Sequence, residues 1–109
     1  MADVSKRFGK GLLSTTNTTV YTAPSNKKAI VKAVTICNMG DLDMVFSLRF
    51  ADTFLAFFHK VKANDTLTVP FLDQILEAGE SISASIANVP GKTGTVSGTY
   101  YISGREVDV

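Results

Sequence analysis

Apolar and polar residues alternate along most of this chain, in short runs separated by residues that favour turns. The clearest run extends from Met44 to Phe50, where every second residue is large and apolar. Side chains in a β-strand point to opposite faces with period two, so these apolar residues line one face of a strand. Ser47 and Arg49 point the other way, toward solvent or a neighbour. The run therefore predicts a half-buried strand.

The same pattern predicts a chain of short strands. The segment 28–38 is the longest, with Ile30, Val34 and Ile36 on one face and apolar residues on the other, which is typical of a central strand. Residues 72–76 fit either a single helical turn or a strand or loop, and their short length favours strand or loop. Turn-forming residues about every ten positions indicate an antiparallel sandwich or barrel. The predicted fold is all-β, a small antiparallel β-sandwich of jelly-roll or immunoglobulin-like type. The predicted strands cover residues 18–22, 28–38, 44–50, 54–62, 66–71, 81–87 and 95–103.

The first 17 residues lack this pattern. They combine basic residues, glycines and a polar run, and only Phe8, Leu12 and Leu13 are apolar enough to dock. The sequence predicts an extended N-terminal arm over residues 1–17, followed by a β-sandwich domain over 18–109. The arm is either a frayed terminus or a segment that becomes ordered against a neighbouring subunit.

Composition limits the classes of function. A chain of 109 residues is long enough for one domain, and 19% charged residues is below the roughly one quarter that is usual. Some apolar surface is therefore expected to meet a partner. A net charge of +1 argues against nucleic acid as that partner, since such binding needs clustered basic residues. No run approaches the ~20 apolar residues of a membrane span, and the N-terminus does not resemble a signal peptide, so we expect no membrane partner and synthesis in a cytoplasm.

Candidate chemistry is sparse. His59 is the only histidine, and periodicity places no carboxylate beside it. Asp41, Asp43 and Asp52 have the oxygen ligands that a hard cation prefers, but they lack the spacing of a cation-binding loop and are explained better as turn formers. Cys37 lies in an apolar strand pattern, where a free cysteine behaves as a small hydrophobe. The sequence therefore predicts no catalytic residue, no cofactor and no metal site.

Aromatic residues on adjacent positions point instead to an interface. Phe57 is expected on the face opposite Phe54 and Phe58, so a one-sided core cannot hide all three rings. Tyr100 and Tyr101 also face opposite ways, so one of them is expected to be exposed, where tyrosine serves binding well. The predicted interface residues, including the apolar residues of the arm, are Phe8, Leu12, Leu13, Phe54, Phe57, Phe58, Tyr100 and Tyr101.

The order of several segments resembles small virion proteins of tailed bacteriophages. In that pattern a "YTVP" turn precedes an apolar strand that ends in "CN", and a "LEAGDTISA" element follows. Val20–Pro24 and Ala29–Asn38 resemble the first part, and Leu67–Phe71 with Ile75–Ala84 resemble the second. The similarity covers about residues 18–103.

The resemblance implies a non-enzymatic structural protein of a phage virion. Its first implied role is a capsid decoration protein; a neck, tail, baseplate or fibre component is the close alternative. A module that binds host-surface carbohydrate through exposed tyrosines is the second class, and an accessory domain of an enzyme is the third. The expected partners are further copies of the chain, with a trimer as first choice, and major capsid or tail proteins. The expected location is the virion.

Overall fold

The computed structural model describes residues 3–69 and 73–108. Within these residues the chain forms β-strands and no helix, and the strands build two antiparallel sheets that pack face to face. The predicted small β-sandwich is confirmed. The strands are β1 (Asp3–Leu12), β2 (Thr18–Thr22), β3 (Lys27–Asn38), β4 (Met44–Phe50), β5 (Thr53–Val61), β6 (Thr66–Val69), β7 (Gln74–Leu76), β8 (Ser81–Asn88) and β9 (Gly98–Asp108).

The two sheets have different strand orders. Sheet I runs β1-β9-β3-β6, and β7 pairs with the same edge of β3 nearer to the start of that strand. Sheet II runs β2-β8-β4-β5. The first and last strands of each order face each other across the sandwich, so β1 and β2 lie along one side and β5 and β6 along the other. The core between the sheets includes Val34, Phe46, Ile82 and Ile102, all at most 1% exposed.

A β-bulge in β3 changes which residues face the core. The pairing of β3 with β9 shifts between Val31 and Ala33, so Val31 is buried before the bulge and Val34 and Ile36 after it. A bulge inserts one residue on one strand and reverses the period-two alternation beyond it. The prediction that Ile30 shares a face with Val34 and Ile36 is therefore wrong, because the bulge separates them.

Gly104 of β9 lies beside this bulge. A Cβ atom at Gly104 would lie 2.0 Å from the carbonyl oxygen of Ile30 and 2.7 Å from the ring of Phe8. Both distances are shorter than any van der Waals contact, so only glycine allows the backbone of β9 to approach β3 and the Phe8 ring this closely.

The N-terminal segment is part of the sandwich. β1 pairs with β9 from Asp3 opposite Val107 to Leu12 opposite Thr99, and Phe8 is 6% exposed within the core. The prediction of an arm is therefore wrong for residues 3–12, and Phe8 is a core residue that is not available for docking. The sequence misses β1 because an edge strand with a bulge buries only one large side chain, which leaves no alternation to detect.

Candidate interaction surface

Strand β5 leaves most of its side chains in solvent. It is the edge strand of sheet II, and only Val61 at its end is buried. Phe54, Leu55, Phe57 and Phe58 are 47%, 40%, 64% and 48% exposed. Four large apolar side chains in nine residues of one strand form an exposed apolar patch, and such patches on small soluble domains mark interaction sites.

The three phenyl rings form one continuous surface, which we call the aromatic plate (Phe54, Phe57 and Phe58). The rings of Phe54 and Phe57 meet edge to face with centroids 4.8 Å apart, and those of Phe57 and Phe58 stack at 4.7 Å with an interplanar angle of 8°. Both arrangements belong to the favourable geometries of aromatic pairs. The structure therefore brings together three rings that the sequence distributes over two faces.

The plate exists because β5 is irregular. The pairing of β4 with β5 shifts between Phe46 and Leu48, and Phe58 has a φ of +50°, which is rare for a residue with a bulky side chain. The Phe58 N–H donates a hydrogen bond to the Ser47 hydroxyl at 3.2 Å, which supports this conformation from the neighbouring strand. The predicted opposite orientation of Phe57 is wrong because these shifts break the period-two alternation.

The side of β4 that faces away from the core is also covered. Val45 and Ser47 point away from the core cluster, yet they are only 4% and 8% exposed. Ser47 therefore does not face solvent; the residue that contacts its hydroxyl belongs to β5. Arg49 follows on the same side, with its guanidinium carbon 5.0 Å from the centroid of the Phe54 ring. No carboxylate pairs with Arg49 in residues 3–69 and 73–108.

An apolar cavity lies on the side of the sandwich formed by β5 and β6. Its volume is about 140 Å³, and Leu55 is one of the residues that line it. The other lining residues come from β4, β5 and β6: Phe46, Leu48, Ala56, Leu67 and Val69.

The opposite side of the sandwich is closed by aromatic and ionic contacts. The rings of Phe8 and Tyr21 lie 4.3 Å apart, and the Tyr21 hydroxyl donates a 2.6 Å hydrogen bond to Glu106. Lys6 lies 3.3 Å from the same carboxylate, which is on a residue that is 6% exposed. Burial and, after it, the neighbouring Glu106 raise the pKa of Tyr21. Sequence reasoning missed this cluster, since nothing near position 106 indicates that a glutamate there is buried.

The other predicted interface residues lie apart from the plate. Leu12 is 72% exposed near the end of β1, whereas Leu13 is half-buried against the core. Tyr101 is 48% exposed on the outer face of sheet I, with the Arg7 guanidinium 5.8 Å from its ring centroid.

Tyr100 has a structural role beside β1. Its ring lies where Gly9 and Gly11 leave room, 3.1 Å and 3.7 Å from the positions that their Cβ atoms would occupy. The two glycines thus leave room for a tyrosine that packs against the core. Of the two adjacent tyrosines, Tyr101 is the more exposed.

The acidic residues considered for a cation are not brought together. Asp43 precedes β4 and Asp52 follows it, so the length of a seven-residue strand, about 3.3 Å per residue, separates them. Asp43 accepts a 2.9 Å hydrogen bond from the Ala63 N–H and lies 3.4 Å from Lys60; the hydrogen bond is the main cause that lowers its pKa. In the described part of the chain no group of three or more His, Cys, Asp or Glu side chains is placed to hold a metal ion. His59 is exposed and Cys37 is half-buried.

The comparisons with known proteins give a likeness of fold. No family model matches the chain, and no curated protein matches it. Among solved structures, one chain of the acid-stable capsid of Helicobacter pylori bacteriophage KHP30 is similar, at 15% identity and a TM-score of 0.49, over 99% of this chain and 90% of that chain. A likeness at this level carries no argument about what the protein does. Among the described residues there is also no helix with the length and hydropathy to cross a membrane.

Proposed function

We propose that this protein is a non-enzymatic structural protein of a bacteriophage virion, first of all a capsid decoration protein. The observation that carries the proposal is the aromatic plate, which a chain acting alone would leave in water. Interfaces are enriched in aromatic residues, and their cores are depleted of charge. The assignment to a phage particle rests on the sequence resemblance over about residues 18–103.

The geometry is suited to a building block. The described residues form a sandwich with an apolar core, and the exposed apolar residues of β5 are concentrated along one side of it. A module whose apolar patch is already formed can associate with a further copy or with another virion protein without refolding, because its interface exists before it binds. We propose major capsid or tail proteins and further copies of the chain as the partners, and the virion as its location after synthesis in the host cytoplasm.

The role on the particle is tested by counting copies. Particles of the phage that encodes this chain are purified, and the ratio of this chain to the major capsid protein is measured by quantitative mass spectrometry with labelled peptide standards. A decoration protein is expected in hundreds of copies. A few to a few dozen copies would instead favour the neck, baseplate or fibre alternative. Absence from purified particles would overturn the proposal.

A second candidate is binding of host-surface carbohydrate through Tyr101. Its ring is exposed and lines a shallow recess of about 290 Å³, together with Lys10, Thr35 and Cys37. Tyrosine presents an apolar face and a hydroxyl, which suits a sugar ring. Replacing Tyr101 by alanine should abolish binding to host cells if this candidate is correct, and should leave incorporation into particles unchanged if the structural proposal is correct.

A further inference from the structure

Strand β5 carries opposite charges at its two ends. Asp52 lies in the turn before β5, whereas Lys60 and Lys62 lie at its other end. The aromatic plate lies between them. Phe57 stands midway in sequence between Asp52 and Lys62, and it is the most exposed residue of the plate. The strand is thus apolar in the middle, acidic at one end and basic at the other.

This order of charges is complementary to itself when the strand is reversed. If a second copy lies antiparallel with Phe57 opposite Phe57, Asp52 of each copy meets Lys62 of the other. A parallel arrangement would place like charges together at both ends, which is unfavourable.

The two end residues are free to make such pairs. Asp52 and Lys62 are exposed, and neither forms an ion pair within residues 3–69 and 73–108. Lys62 does act on Asp43 at longer range, because its charge contributes to the lowered pKa of that carboxyl. Asp43 itself pairs with Lys60, at 3.4 Å, and not with Lys62.

We propose that two copies of this chain pair through β5 about a two-fold axis that passes close to Phe57. The inference deepens the proposed function, because it names a second copy as the occupant of the aromatic plate. A two-fold contact uses the same patch on both subunits and is closed at two copies. The contact therefore makes a dimer, where the sequence led us to expect a trimer.

In this dimer the two β5 strands meet through their side chains and do not form a continuous ladder of backbone hydrogen bonds. The bulge and the positive φ of Phe58 interrupt the row of backbone groups on the free edge of β5. Bulged edge strands are poor templates for strand addition. The apolar rings exclude water in the centre, and the two pairs of Asp52 with Lys62 fix the register at the rim.

The test is a charge exchange measured by sedimentation velocity on the purified full chain at micromolar concentration. The wild type should be a dimer. Asp52→Lys and Lys62→Asp should each raise the dimer dissociation constant at least about tenfold, because each change creates two repulsive pairs. A one-to-one mixture of the two variants should form a heterodimer with near wild-type affinity, since each lysine at position 52 then meets an aspartate at position 62. The matched pair Glu77→Lys and Lys10→Asp, at exposed positions beside β7 and in β1 of the other sheet, should leave the constant unchanged, separately and mixed.

A second variant at position 52 tests whether a folding defect explains the effect of Asp52→Lys. Asp52 has a φ of +63°, a conformation that lysine adopts at a cost, so Asp52→Asn serves as a second variant that removes the charge and tolerates this backbone. It should weaken the dimer by a smaller factor with an unchanged thermal transition. A monomeric wild type, a trimer, or a mixture that fails to form the heterodimer would overturn the two-fold contact. Because the measurement uses no particles, such a result leaves the virion assignment standing, and absence from virions leaves the dimer standing.

Discussion

Glu106 is a carboxylate held almost out of water between the edges of the two sheets. A buried charge is costly unless hydrogen bonds and an opposite charge replace its hydration. Tyr21 of β2 and Lys6 of β1 provide both, at 2.6 and 3.3 Å. Because these residues come from three strands, the cluster links sheet I to sheet II at the closed side of the sandwich.

Removing the Tyr21 hydroxyl takes away the shorter of these two contacts with the Glu106 carboxylate and leaves only Lys6. Tyr21→Phe is expected to lower the free energy of unfolding at pH 7 by about 1.5–3 kcal/mol, the usual value of a hydrogen bond to a charged group. Urea denaturation followed by circular dichroism measures the change. Tyr101→Phe removes a hydroxyl from an exposed ring and should change stability by less than about 0.5 kcal/mol. Equal effects of the two substitutions would contradict the role given to Glu106.

The same cluster predicts a response to alkaline pH. The pKa of Tyr21 is raised above its ordinary value of 10.0 in the folded state, first by burial and then by Glu106. The folded state therefore favours the protonated phenol. The contribution of Tyr21 to the free energy of unfolding is complete below pH 10 and is lost as the pH rises beyond that value. Measured from pH 9 to pH 11, the stability difference between wild type and Tyr21→Phe should stay constant up to about pH 10 and shrink above it. A constant difference over that range would contradict the assignment.

Asp43 predicts the opposite response, at acidic pH. Its pKa is lowered from 3.8, mainly by the hydrogen bond from the Ala63 N–H and further by Lys60. The folded state therefore favours the carboxylate, and the contribution is present above pH 4 and is lost as the pH falls through the lowered pKa. Asp43→Asn should be less stable than wild type at pH 7 and should approach it at pH 3, as measured by thermal denaturation. A stability difference that stays the same from pH 7 to pH 3 would contradict this assignment.

Among the elements, β1 gives the sharpest prediction because its sequence resembles an arm. Phe8→Ala should lower the free energy of unfolding by about 3–5 kcal/mol, the usual cost of removing a buried phenylalanine. Deletion of residues 1–12 removes the strand that covers one edge of β9 and should prevent cooperative unfolding in a thermal scan. Leu12→Ala, at a residue that is 72% exposed, is the control and should change little. A deletion variant as stable as wild type would show that β1 does not belong to the fold.

The strands that sequence reasoning predicted well are those with one buried and one open face. In β8 the residues Ile82, Ala84 and Ile86 are buried and the serines between them are not, as the alternation predicts. β9 extends to Asp108, beyond the predicted end at Ser103. Period-two alternation identifies such strands because every second residue obeys the same constraint.

The features that could not be predicted depend on contacts between distant parts of the chain. Beside the bulge in β3, the backbone approaches Gly104 so closely that no side chain fits there, and Gly104 lies about seventy residues further along the chain. The aromatic plate depends on a second irregularity, between β4 and β5. Sequence reasoning named Phe54, Phe57 and Phe58 as interface residues, but it placed them on two faces because it assumed a regular strand.

At the scale of the whole molecule, the two sides of the sandwich differ. The side of β1 and β2 is closed by the rings of Phe8 and Tyr21 and by the buried Glu106. The side of β5 and β6 leaves the aromatic plate in solvent and contains a cavity of about 140 Å³. We therefore expect stability and assembly to respond to different substitutions: changes on the closed side should affect unfolding, and changes on the plate should affect association.

The most direct test is a competition between wild-type protein and a plate variant for incorporation into virions. Cells that support phage growth supply equal amounts of wild-type protein and Phe57→Ser, and mass spectrometry measures their ratio in purified virions. Phe57→Ser should cost little stability because the ring is 64% exposed, yet we expect it to be depleted at least about tenfold from the particles. Tyr101→Ser, an exposed aromatic residue outside the plate, should be incorporated as well as wild type. Equal incorporation of Phe57→Ser and wild type would contradict the claim that assembly on the particle depends on the aromatic plate.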